Sequence, residues 1–81
     1  MSLEVEVADC LREVVRKSGR PVREVGRDDP FFEAGVLDSM SLLDFVVSLE
    51  GRFGVKIPGE DIVPENFGSL AAVSAYIGRR V

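Results

Sequence analysis

Residues 38 to 54 read Asp38-Ser39-Met40-Ser41-Leu42-Leu43-Asp44-Phe45-Val46-Val47-Ser48-Leu49-Glu50-Gly51-Arg52-Phe53-Gly54. Leu42, Leu43, Val46, Val47, Leu49 and Phe53 recur at helical spacing, while Ser41, Asp44, Ser48 and Arg52 fall mostly on the other side. The spacing predicts a helix that begins at Asp38-Ser39, with the Asp38 carboxylate as its cap, and runs to about Phe53. Gly54 can adopt the left-handed conformation that ends such a helix. Gly51, near its end, costs up to about 1 kcal/mol against alanine.

Upstream of this helix, residues 20–38 form a connection well beyond the roughly 2–8 residues usual between packed helices. Asp28-Asp29-Pro30 is a turn signal within it, and one or both rings of Phe31-Phe32 should pin it to the core. Gly35 permits a positive φ just before the helix. Before the connection, Leu3, Val7, Leu11 and Val14 repeat at helical spacing with Cys10 on the same face, predicting a helix over Leu3–Ser18. Its acids, Glu4 and Glu6, come early and its bases, Arg16 and Lys17, come late, as the helix dipole favours. Gly19 and Pro21 end it.

Downstream, Val55-Lys56-Ile57-Pro58 is extended, because the residue before a proline is pushed out of the helical region. Pro64-Glu65-Asn66-Phe67 predicts a short helical turn with proline at its first position. Ser69 caps a last helix from Leu70 to about Arg79, with Leu70, Val73 and Ile77 turned inward. Together these segments predict an all-α four-helix bundle with a long first loop and a short third helix.

Composition narrows the function. A chain of 81 residues has room for one domain, and its 10 basic and 14 acidic side chains leave a net charge of −4. With no histidine, a Ser-His or Cys-His couple and an imidazole metal site are excluded. Cys10 is the single cysteine, so it cannot build a disulfide framework; it belongs to the apolar face, and a reducing cytoplasm is expected. No apolar run approaches the roughly 18–20 residues that span a bilayer, and the first residues lack the pattern of a signal peptide. An acidic chain without a basic patch is not expected to bind nucleic acid. What remains is a small cytoplasmic binding or carrying module.

The pair Asp38-Ser39 is where chemistry could sit. Taken alone, an Asp-Ser at a helix start is an ordinary cap followed by a first-turn serine. The same geometry places a serine hydroxyl beside unpaired backbone N–H groups at the positive end of the helix, where a phosphate ester on that oxygen would be stabilised. Leu37 and Met40 would form an apolar collar around such a group. The chain has no base to activate the serine, so this is a site to be modified by another enzyme.

The stretch Asp29-Pro30-Phe31-Phe32-Glu33-Ala34-Gly35-Val36-Leu37-Asp38-Ser39-Met40 resembles the phosphopantetheine attachment region of acyl and peptidyl carrier proteins. The pattern continues through Leu49-Glu50, Arg52-Phe53-Gly54-Val55-Lys56-Ile57-Pro58, Phe67-Gly68-Ser69-Leu70 and Ala75-Tyr76-Ile77, covering nearly the whole chain. The resemblance implies a single carrier domain over residues 1–81, with the acyl-carrier-protein type of four-helix bundle. It implies that Ser39 receives 4′-phosphopantetheine from coenzyme A through a separate Mg²⁺-dependent phosphopantetheinyl transferase. The thiol of the arm then holds acyl or aminoacyl groups as thioesters, and the chain itself catalyses nothing. Asp38 matches the acid expected to cap the helix and lie near the transferase's metal site. Leu37, Met40, Leu43 and Asp44 match positions that partner enzymes touch, among them a loading enzyme and downstream synthase enzymes.

Fatty-acid carriers usually have a densely acidic second helix, whereas here only Asp44 and Glu50 follow Asp38, offset by Arg52. From 31 to 78 there are nevertheless seven acids and two bases, so some steering toward basic partners is expected, with apolar contacts mattering more. Leu37 before the aspartate is similar to discrete carriers of secondary metabolism, including aminoacyl and D-alanyl carriers. The core residues leave open whether a carried chain is sequestered in the bundle. A freestanding monomer is expected. The competing reading is an unmodified helical interaction module that binds a partner through Met40, Leu43 and Val47 and never bears an arm.

Overall fold

The computed structural model describes residues 2–19 and 24–81. Among these residues four α-helices follow in chain order: α1 (Leu3–Lys17), α2 (Ser39–Phe53), α3 (Pro64–Phe67) and α4 (Leu70–Gly78). No strand occurs among the described residues, as the helical periodicity requires. α1 packs on both α2 and α4, and α3 packs on α4.

α1 buries Val7, Cys10, Leu11 and Val14 of the expected stripe and adds Val15, while Leu3, also expected there, is half-buried. Ser18, expected as its last residue, is instead its cap, and Gly19 follows at φ +82°. Pro21 and the rest of 20–23, at the start of the long connection, lie outside the described residues.

α2 has the expected bounds but a different inward face. Its buried residues are Ser41, Phe45, Val46 and Leu49, whereas Leu43 and Val47 are 58% and 66% exposed. Apolar side chains occur all round this helix, so periodicity alone does not choose which side faces in. Turning in the row Ser41, Phe45, Leu49, spaced four residues apart, buries the one aromatic ring of the helix interior and removes more apolar surface from water. The cost is a single small hydroxyl, Ser41, expected on the polar side.

Gly54 closes α2 in the left-handed region at φ 65°, with its N–H donating to the Glu50 carbonyl. The Glu50 carboxylate then accepts the Ile57 N–H at 2.8 Å, tying the extended segment back to the end of α2. A 3₁₀ turn at Gly59–Asp61, which the sequence pattern does not signal, precedes α3. Its Asp61 carboxylate accepts a hydrogen bond from the Tyr76 hydroxyl at 2.6 Å and pairs with the Arg80 guanidinium, so this turn is anchored to α4. Ser69 caps α4 through the Ala72 N–H, and Tyr76 joins Leu70, Val73 and Ile77 in the core. Between α3 and α4, a Cβ on Gly68 would meet the Pro64 carbonyl oxygen at 2.5 Å, so only glycine fits there.

The long connection is fastened at both the side-chain and backbone level. Phe31 is wholly buried while Phe32 is 43% exposed, so one ring of the pair does the pinning. The Phe31 N–H donates to the Gly68 carbonyl at 2.8 Å, and the Arg27 carbonyl accepts the Ala71 N–H at 2.8 Å, which stitches the connection to the start of α4. Its end turns back on itself: the Phe31 carbonyl accepts the N–H of Val36 at 2.8 Å and of Leu37 at 3.3 Å. Gly35 takes φ +73° inside that turn. The turn drives Val36 and Leu37 into the core, where Leu37 is only 2% exposed. Leu37 was expected on the partner surface and in a collar around Ser39; the folded chain instead uses it as packing.

Candidate functional site

The helix start after this turn is built by two residues with separate tasks. Asp38, in extended conformation, accepts the Ser41 N–H on its carboxylate at 2.8 Å, while its carbonyl accepts the Leu42 N–H at 2.9 Å. Ser39 is the first helical residue and is exposed. Its own N–H and that of Met40 meet no acceptor among the described residues, as expected for the first turn of a helix. The hydroxyl therefore stands at the positive end of a 15-residue helix without being used to cap it.

An anionic ester on that oxygen would lie beside these N–H groups, with solvent on its outer side. The chain has no histidine to serve as a general base beside it. The arrangement suits a serine that is acted on.

Around Ser39, the sequence-derived partner residues divide. Met40 is 76% exposed, and Leu43 and Asp44 are exposed on the next turn. Val47 continues the line, so Met40, Leu43 and Val47 form an outward apolar stripe at helical spacing. It ends at a shallow open groove of about 480 Å³ lined by Val47, Glu50, Gly51, Gly54, Val55 and Lys56. The Glu50–Ile57 bond that folds 55–57 beside α2 leaves no mark in hydrophobic spacing, so the sequence pattern does not signal the groove. Leu37 is not part of this surface.

The phosphopantetheine attachment site family matches residues 6–77. The chain belongs to this family. It is 34% identical to an acyl carrier protein of Kineococcus radiotolerans over 98% of this chain and 96% of that protein. A D-alanyl carrier protein of Leuconostoc citreum is 29% identical over 96% of this chain and all of its own length, 100%. Among solved structures, a chain in the crystal structure of an FAD-dependent dehydrogenase superposes with a TM-score of 0.71 at 27% identity, over 88% of this chain and 97% of that one. The chain is thus a carrier protein of the kind that bears covalent 4′-phosphopantetheine, and it is not an enzyme. No helix is long and apolar enough to cross a membrane.

Proposed function

We propose that Ser39 is the residue that takes 4′-phosphopantetheine, and that this carrier serves a secondary-metabolite pathway as a freestanding cytoplasmic monomer. The observation that supports the site most is the division of labour at the start of α2. Asp38 holds the helix end, and Ser39 presents a free-standing hydroxyl among first-turn N–H groups. Loading by a phosphopantetheinyl transferase joins the Ser39 oxygen to the phosphorus of the pantetheine arm of coenzyme A, and 3′,5′-ADP departs. The arm supplies a thiol that holds acyl or aminoacyl groups as thioesters.

Met40, Leu43 and Asp44 are proposed as the surface that partners read, extended by Val47. The partners would be the transferase, an acyl- or aminoacyl-loading enzyme and downstream synthase enzymes. The structural likeness to a chain in the crystal structure of an FAD-dependent dehydrogenase supports adding a flavin dehydrogenase to the classes of enzyme that could act on the carried group.

Intact mass before and after incubation with coenzyme A, Mg²⁺ and a broad-specificity transferase tests this. One added phosphopantetheinyl group is expected. An unchanged mass, with a control carrier modified in parallel, would favour the unmodified interaction module acting through Met40, Leu43 and Val47.

A further inference from the structure

Inward of Ser39, the buried side of α2 is made by Ser41, Phe45, Val46 and Leu49. Phe45 is wholly buried and meets the equally buried Phe31 edge-on, with ring centroids 6.0 Å apart and planes at 83°. Leu49, Phe67, Val73 and Ile77 fill the same cluster. These side chains are buried together, so a string of methylenes entering between them must displace one. Phe31 is poorly placed to yield, because its N–H is bonded to Gly68 and its carbonyl to Val36 and Leu37. Phe45 is anchored by α2 itself.

We infer that the Phe31–Phe45 pair closes the bundle to the carried group, so that an acyl or aminoacyl chain stays outside, along Met40, Leu43 and Val47 or in water. This rests on Ser39 being the attachment residue. The cargo class it favours is short or polar: amino acids and small acyl groups. Each methylene kept from an apolar interior forfeits about fourfold in the balance between a hidden and an exposed chain, a loss that grows steeply for long alkyl cargo. Partner enzymes then meet the thioester without first drawing it out of the bundle. Phe45 is the specificity-determining residue.

Two measurements test this. In the first, unloaded wild type and Phe45→Ala are melted with and without benzene, which enters apolar cavities of phenyl size. Benzene should raise the Tm of Phe45→Ala and leave that of wild type unchanged. In the second, acetyl- and octanoyl-loaded forms, verified by mass, are compared for thioester hydrolysis, each normalised to the same free acyl-pantetheine. For wild type the two should agree within about fourfold, the effect of one buried methylene, while octanoyl-loaded Phe45→Ala should be protected by more than that. If Phe45→Ala does not fold, Phe45→Leu takes its place in the hydrolysis comparison.

A benzene-induced rise in wild type overturns the inference, as does octanoyl protection of wild type beyond about fourfold. So does a folded variant that gains neither property. Failure of Ser39 to take the arm would be visible in the mass and would sink the attachment reading alone, with the benzene measurement still deciding whether the interior is closed.

Discussion

Asp38 and Ser39 are adjacent yet nearly independent in energy, and that independence can be measured. Asp38→Ala removes the carboxylate that accepts the Ser41 N–H and should lower stability by about 1 kcal/mol, read by urea unfolding. Ser39→Ala removes an exposed hydroxyl outside the cap and should change stability by less than about 0.5 kcal/mol while abolishing loading. A large stability loss in Ser39→Ala would mean that the hydroxyl supports the fold, against the division of tasks described here. Both residues were legible in the sequence, because a cap followed by a first-turn serine is a local pattern that depends on nothing distant. Leu37 was not. Its inward turn depends on hydrogen bonds from Val36 and Leu37 to the Phe31 carbonyl, and on a glycine at φ +73° between them, which no spacing rule encodes.

At the scale of the element, α2 has two apolar faces, one buried and one exposed. Leu37, packed beneath its start, and Leu43, on its outer face, are both leucines and should respond oppositely to truncation. Leu37→Ala should cost about 2–5 kcal/mol, as for other buried leucines, with loading of the folded fraction little changed. Leu43→Ala should leave stability within about 0.5 kcal/mol of wild type. It should lower kcat/KM for a partner enzyme about tenfold, the scale of a contact residue near the centre of an interface. Equal stability losses in the two variants would contradict the assignment of faces. The extent of α2 was readable from Asp38 and Gly54, whereas its rotation was not, because Leu42, Leu43, Val46 and Val47 satisfy helical spacing on either side. α1 shows the contrast: charged residues separate its apolar stripe cleanly, and its buried face matches its spacing. The 3₁₀ turn at Gly59–Asp61 carries no local signal, because Tyr76 and Arg80, fifteen or more residues on, hold it.

At the scale of the whole molecule, that long-range anchor gives the fold an alkaline limit. Burial, together with the hydrogen bond to Asp61, holds the Tyr76 phenol above the ordinary value of 10.0. The folded chain therefore favours the protonated ring, so this contribution is complete below about pH 10 and is lost as pH rises through the raised pKa. Tyr76 is the single tyrosine, so tyrosinate absorbance during an alkaline titration reports it directly. Tyr76→Phe should cost about 0.5–1.5 kcal/mol at neutral pH and flatten the alkaline decline in stability. An unshifted titration would contradict the anchor. The four-helix order followed from sequence because each helix carries its own start and stop; the stitching of the long connection to Gly68 and Ala71 did not, since backbone groups make it.

The attachment of phosphopantetheine to Ser39 is tested most directly by mapping the modified residue itself. After loading with coenzyme A, Mg²⁺ and a transferase, the chain is digested and the phosphopantetheine-bearing peptide is located by tandem mass spectrometry. The account predicts one phosphoester, on Ser39, and none in Ser39→Ala. A phosphoester on Ser41, Ser48 or any other serine, or undiminished loading of Ser39→Ala, would contradict it.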